Sequence, residues 1–327
     1  MTIRVGTRGS ALAVAQSTTI AERIAEATGH DVELVRVRTE GDRSQRTGES
    51  LASLGGTGVF ASALREALLA DECDVLVHSL KDLPTAKHPG LVIGATPARA
   101  DARDALCARD GLTLETLPQG ARVGTGSPRR VAQLLARRPD LEVVDIRGNV
   151  DTRLGRVGDD LDAVVLSAAG LGRLGRTAAV TDLLGLGWWP TAPGQGSLAV
   201  EVREGERSDE LDRGIAAVEH RETRLVVTAE RMVLAGLEAG CAAPVGATAV
   251  VDAGLLLLSA TVYSPDGSRR LSSSHAVSLE DGPLRAQLED VDAVSERVVT
   301  ELLEGGAADF APLGGGPSGG EPEASAS

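Results

Sequence analysis

Short apolar runs alternate along this chain with longer stretches in which apolar residues recur every four positions. Residues 3–5 predict a strand. It leads through Gly6-Thr7-Arg8-Gly9 to Ser10, a helix N-cap residue. Leu12, Ile20 and Ile24 then fall on one stripe, which predicts a helix to about Ala27 that Gly29 ends. Gln16 lies in the same stripe. It reads either as an amide at a helix edge or as a ligand contact.

Residues 32–37, 74–78 and 91–95 read as further strands. A glycine-rich stretch, residues 53–60, precedes a helix at 61–69. It lacks the G-K-[ST] ending of a phosphate-binding loop. Strands alternating with helices predict a parallel α/β sheet. A second unit of the same kind starts near Ala100, with strands at 105–108, 122–124, 141–146 and 163–166. Ser127 caps its helix, with Pro128 at the first helical position. A late strand at 198–202 returns to the first sheet. The pattern then changes to strands at 245–251, 255–263 and 269–277, joined by tight turns, and a helix at 283–303. Gly, Pro, Ser and Ala dominate from about Leu313, which predicts a disordered tail. The expected organisation is an α/β lobe (1–97 plus 198–216), a second α/β lobe (98–197), a small α+β domain (217–312) and the tail (313–327).

Composition narrows the function classes. The 327 residues hold 33 Lys and Arg against 47 Asp and Glu, a net charge of −14. No general nucleic-acid partner is expected of such a surface. A local cationic pocket remains compatible, because screening acts over about 8 Å. No apolar run is long enough for a membrane span, and the first ten residues lack the apolar core of a secretion signal, so a cytoplasmic chain is expected. The three cysteines, Cys73, Cys107 and Cys241, form no C-x-x-C and suggest neither a disulfide framework nor a metal site. With two Phe, two Trp and one Tyr, the core must be built of aliphatic residues.

The candidate chemistry is cationic. Residues 121–156 hold eight arginines and four acids. Arg8, Arg129, Arg130, Arg147 and Arg153 follow predicted strands or open helices. Ligands bind at those strand ends in open α/β sheets, and helix N-termini add a positive dipole. Arginine forks also bind carboxylates in bidentate fashion. The set predicts a ligand with several carboxylates or phosphates, although any one of these arginines alone also reads as a surface ion-pair partner. Lys81 and Asp82 follow the strand that ends at His78. Asp82 reads as a general acid, as a stabiliser of a cation, or as a solvated turn residue. His78 reads as a packed strand-end histidine. Cys241 lies among Gly, Ala and Pro in a predicted loop, where its thiol is either reactive or inert. Cys73 and Cys107 adjoin strands and read as structural.

Together these stretches resemble the hydroxymethylbilane synthase, or porphobilinogen deaminase, family. The matching pieces run in the family's order: residues 4–10, Thr39-Glu40-Gly41-Asp42, residues 77–84, residues 124–130, residues 141–153, Ala169-Gly170-Leu171, Pro193-Gly194-Gln195-Gly196, Thr228-Ala229-Glu230-Arg231, and residues 237–246 around Cys241. They cover roughly residues 3–305. The resemblance implies an α/β fold of two periplasmic-binding-protein-like lobes around an active cleft, with a small α+β C-terminal domain. It implies a dipyrromethane cofactor held by the Cys241 sulfur through a thioether. Four porphobilinogen units would be added to it and the product hydrolysed off as hydroxymethylbilane. It assigns Lys81, Ser127, Arg129, Arg130 and Arg153 to the cofactor, and Arg8, Ser10, Gln16, Arg147 and Arg173 to incoming substrate. Asp82 would contact pyrrole N–H groups, assist loss of ammonia and stabilise the resulting azafulvenium cation. A monomer is expected by resemblance alone. Ser53 and Thr57 stand where many relatives have lysine, and Gly126 where serine is common. Two other classes fit a two-lobed α/β chain: a small-anion-binding protein without turnover, and another α/β enzyme such as a dehydratase. A signal peptide or an appended DNA-binding helix pair would favour the first, and neither is visible; the second gives no reason for a third domain with a loop cysteine or for so many arginines.

Overall fold

A computed structural model of the chain describes residues 2–37, 59–240 and 243–314. The expectations for Ser53, Thr57, Cys241, most of the glycine-rich stretch, the Thr39–Asp42 motif and the tail beyond residue 314 lie outside the described residues.

Two five-stranded sheets form the two lobes. The first has the order β2 (Asp31–Val37), β1 (Thr2–Arg8), β3 (Val75–Ser79), β10 (Leu198–Arg203), β4 (Leu91–Ala95). The second has the order β7 (Glu142–Val144), β6 (Arg122–Gly124), β8 (Ala163–Ser167), β5 (Asp104–Ala108), β9 (Asp182–Leu184). The sheets are mixed rather than parallel. β1 pairs in parallel with β2 and β3, but β10 runs antiparallel to β3 and β4. Likewise β6 is parallel to β7 and β8, and β5 is antiparallel to β8 and β9.

The reason lies in the crossings between lobes. Residues 96–103 lead from β4 to β5, and residues 185–197 lead back from β9 to β10. The two crossings touch, with Ala100 N–H donating to the Gly196 carbonyl at 3.2 Å and Gln195 Nε2 to the Ala102 carbonyl at 2.9 Å. A strand entered from this junction starts where its parallel neighbours end. Leu198 therefore pairs with Ser79, and Asp104 with Ser167. The first residues of β10 and β5 thus join the carboxyl ends of β3 and β8.

Local chemistry sets the helices as the sequence predicts. Helix α1 (Ala11–Thr28) has Ser10 as N-cap, its hydroxyl accepting from Ala13 N–H, and ends at Gly29 with φ 69°. Its buried stripe, Ile20 and Ile24, packs with Ile3, Val5, Val75 and Val200. Helix α2 (Val59–Leu69) packs beneath the same sheet. In the second lobe α3 (Pro128–Arg137) opens at Ser127, and the short α4 (Val150–Leu154) and α5 (Ala168–Arg173) follow strand ends. Leu106, Val123, Leu134, Val165 and Trp189 form its core. The predicted strand at 141–146 shrinks to three residues because its partner β6 has only three.

Two helices join the first lobe to the last domain: α6 (Asp209–Val218) and α7 (Arg221–Gly236). The latter packs with α8 (Leu284–Glu304) on an antiparallel sheet of β11 (Val245–Asp252), β12 (Leu255–Tyr263) and β13 (Arg270–Ser278). Leu313, where the tail is predicted to begin, packs against this core. Cys73 and Cys107 are buried free thiols, and burial pushes each up to about 11.

Candidate active site

The carboxyl ends of β1 and β3 and the start of α1 surround a small pocket open to solvent. Arg8, Ser10, Gln16, His78, Ser79 and Asp82 line it. Four of the residues singled out in the sequence, Arg8, Ser10, Gln16 and Asp82, are therefore brought together. Gln16 is both buried and pocket-lining, so the helix stripe turns its one amide toward the cleft. His78 packs at the strand end with Nε2 3.1 Å from a Glu201 carboxylate oxygen. Arg65 grips the same carboxylate, with Nη2 donating at 2.8 Å. Burial alone would push Glu201 up, but His78 and Arg65 pull it down to about 2.

Asp82 sits in a 3-10 turn, Leu80–Asp82, at the end of β3. Its neighbour Lys81 reaches the opposite lobe's crossing, Nζ donating to Gln195 Oε1 at 3.1 Å. Burial pushes the Lys81 ammonium down to about 8, against the opposing charge of Asp82.

In the second lobe Arg129 and Arg130 converge on Asp104, the first residue of β5. Arg129 Nη2 donates to it at 2.9 Å and Arg130 Nη2 at 2.6 Å. Gln195 Nε2 and the Trp189 indole N–H each add a bond at 2.8 Å. The carboxylate is fully buried, and burial alone would raise its pKa. Arg129 and Arg130 more than reverse this and hold it well below the usual carboxylate range. Arg129 is 4 % exposed and Arg130 6 %. Their remaining Nε atoms are buried with no partner among the described residues. The Ser127 hydroxyl accepts from Arg130 N–H at the start of α3. At Gly126 an added Cβ would lie 2.6 Å from the Ile146 carbonyl, so the backbone after β7 occupies the space that a serine there would need.

Among the described residues, two further arginines have no acidic hydrogen-bond partner. Arg153 Nε donates to the Gly148 carbonyl at 2.8 Å, and Arg173 Nη2 to the Gly196 carbonyl at 2.7 Å. Burial, then Arg130 and Arg147, push Arg153 down to about 10. Burial also lowers Arg173. Each holds a costly charge that an incoming anion would relieve. Arg147 is exposed and pairs with Asp145 at 3.3 Å. Cys241 lies outside the described residues, but its flanks are placed. Ala243 N–H donates to the Gly240 carbonyl at 3.0 Å, and β11 then docks on the returning crossing, Ala247 N–H bonding the Thr191 carbonyl at 3.0 Å.

Sequence reasoning did not single out Asp104, Gln195, Glu201 or Glu230 as functional residues. Gln195 and Glu230 lay inside motifs that carried the family resemblance. Their partners are remote in sequence, and no local spacing marks them.

Comparison with known proteins gives a consistent result. The family model described as "Porphobilinogen deaminase, dipyromethane cofactor binding domain" matches residues 3–210. That of "Porphobilinogen deaminase, C-terminal domain" matches residues 224–286. Porphobilinogen deaminase of Leifsonia xyli is 63% identical over 316 residues, covering 96% of this chain and 95% of its own. That of Cutibacterium acnes is 51% identical over 329 residues, covering 95% and 97%. Among solved structures, the methionine binding protein MetQ aligns with 68% of this chain and 92% of its own, at 13% identity and a TM-score of 0.43.

Proposed function

The chain belongs to the porphobilinogen deaminase family, and we propose how its residues carry out that reaction: four porphobilinogen molecules joined on a dipyrromethane primer, then hydrolytic release of hydroxymethylbilane. In this reading it is a transferase. One observation carries the assignment of roles. Among the described residues, Asp82 is the one carboxylate lining the pocket that Arg8, Ser10 and Gln16 also line, and Arg153 and Arg173 are half-buried without an acidic hydrogen-bond partner.

The residues fit the dipyrromethane group. Its carboxylate side chains suit Lys81, Arg153 and the unpartnered Nε atoms of Arg129 and Arg130, with the Ser127 hydroxyl at a helix start beside them. Cys241 would anchor it by a thioether. When attached, the group supplies the nucleophilic pyrrole carbon on which the chain grows. Arg129 and Arg130 give Nη2 to Asp104 and Nη1 to Gln133, Pro190 or Val165, so they serve more as a rigid wall than as free forks. Incoming porphobilinogen, with an acetate and a propionate, would meet Arg8, Ser10, Gln16, Arg147 and Arg173. Each charge-assisted bond is worth roughly 1.5–3 kcal/mol. Asp82 would accept from pyrrole N–H groups and stabilise the positive charge that develops as ammonia leaves. The arginines cannot donate protons near neutral pH. The buried thiols Cys73 and Cys107 suit a reducing compartment, and we place the chain in the cytoplasm as a monomer.

The depressed Lys81 gives a pH prediction. Below about pH 8 its ammonium is charged and holds a carboxylate; as pH rises through that value the charge is lost. The hold on the cofactor's carboxylates should therefore weaken above pH 8, and Lys81→Gln should flatten that limb of the pH profile for loading cofactor-free chain with porphobilinogen, read by intact mass. An unchanged limb in the variant would remove Lys81 from carboxylate binding. The reaction itself is tested by supplying porphobilinogen to the purified protein. We expect one ammonium released per substrate consumed and hydroxymethylbilane as product. Binding without ammonium release would instead mark a two-lobed small-anion-binding protein.

A further inference from the structure

The Thr228–Arg231 stretch of α7 takes no part in the chemistry above, yet it touches the Asp82 turn directly. Leu80 and Leu83, which flank Lys81 and Asp82, are buried in one core with Leu225, Val226 and Ala229 of α7. The turn is therefore seated on the third domain as well as on its own lobe. Arg231 grips its backbone: Nη1 donates to the Leu80 carbonyl at 3.1 Å and the Leu83 carbonyl at 2.8 Å, and Nη2 to the Pro84 carbonyl at 2.7 Å. The preceding residue, Glu230, is fully buried and holds both crossings. It accepts from Arg99 at 2.7 and 2.9 Å and from Gly194 N–H at 2.7 Å. Adjacent residues of one helix thus fix the catalytic turn and the junction between the lobes.

We propose that Arg231 is a positioning residue for the reaction: by holding three carbonyls of the Leu80–Pro84 turn it sets where the Asp82 carboxylate stands in the cleft. The inference rests on the reading of Asp82 as the catalytic carboxylate. The apolar seat of Leu80 and Leu83 already anchors the turn, so what the guanidinium adds is orientation. Arg231 bonds no carboxylate among the described residues, and burial, with Arg65 nearby, lowers it to about 10. A half-buried cation spent on backbone carbonyls is an expensive way to gain stability alone. It is an effective way to fix a reacting group, since a misplacement of about 1 Å costs on the order of 100-fold in rate.

The test is a double-mutant cycle on the intact, cofactor-bearing chain, with Arg231→Met and Asp82→Asn, read by kcat, KM and the single-turnover rate of the first porphobilinogen addition. Intact mass and thermal midpoint are recorded for every variant. Arg231→Met should lower kcat about 10–100-fold, change KM less than about 3-fold and keep the cofactor mass. In the Asp82→Asn background it should have no further effect on rate, because the group it orients is gone. Arg231→Lys should recover part of the kcat, and it carries the same cycle if Arg231→Met does not fold. Wild-type kcat in Arg231→Met, a loss confined to KM, or a rate loss that persists undiminished beside Asp82→Asn would each overturn the proposal. Full activity of Asp82→Asn alone would instead overturn the reading of Asp82, which separates the two failures.

Discussion

Asp82→Asn is expected to lower kcat by roughly 100–1,000-fold, the scale of removing one preorganised electrostatic contact. The substitution keeps the shape of the side chain and its capacity to accept a hydrogen bond. It removes the negative charge at the point where ammonia loss leaves a cation. Arg8, Ser10 and Gln16, which line the same pocket, are untouched, so KM should move little. A loss confined to kcat would mean an interaction made mainly in the transition state. Product formed at the parent rate would leave Asp82 as a solvated turn residue, the plainest of its readings in the sequence.

Asp104→Ala should be the most damaging single change to stability. It strips one fully buried carboxylate of four donors and leaves the Arg129 and Arg130 guanidinium groups, both nearly buried, without their counterion. Breaking a buried pair in this way costs about 3–5 kcal/mol. For a chain of this size that corresponds to a fall in melting temperature on the order of 10 °C. The damage should also reach the cleft, because Gln195 bonds Asp104 on one side and Lys81 on the other. Thermal melting followed by calorimetry checks this, and a midpoint within a degree or two of the parent would show that the cluster carries little of the fold's stability.

Much of this arrangement was legible in the sequence wherever a local rule governs. Ser10 and Ser127 are N-caps because a short hydroxyl residue precedes each helix, and Gly29 ends α1 in the left-handed region where glycine costs least. The arginines at strand ends were legible because ligands and helix dipoles meet there. Strand direction was not. Alternation of strands and helices carries no sign of which edge a returning strand enters from, so β5 and β10 were expected parallel and run antiparallel. No element is predicted between the strands at 198–202 and 245–251, where helices α6 and α7 form. The Asp104 cluster and the Glu230–Arg99 pair join residues 25, 26 and 131 positions apart, a distance over which the chain's pattern says nothing. Arg129 and Arg130 were expected to face the ligand, and the fold commits Nη2 of each to Asp104 and Nη1 to Gln133 and the Pro190 carbonyl or to the Val165 carbonyl.

The central claim is a covalent cofactor on Cys241, which precedes β11 in the chain. It is tested most directly by the intact mass of the denatured protein, measured beside Cys241→Ser. The account predicts that the parent chain carries the added mass of one dipyrromethane and that the variant carries none. A parent chain at its unmodified sequence mass, unchanged after incubation with porphobilinogen, would contradict it.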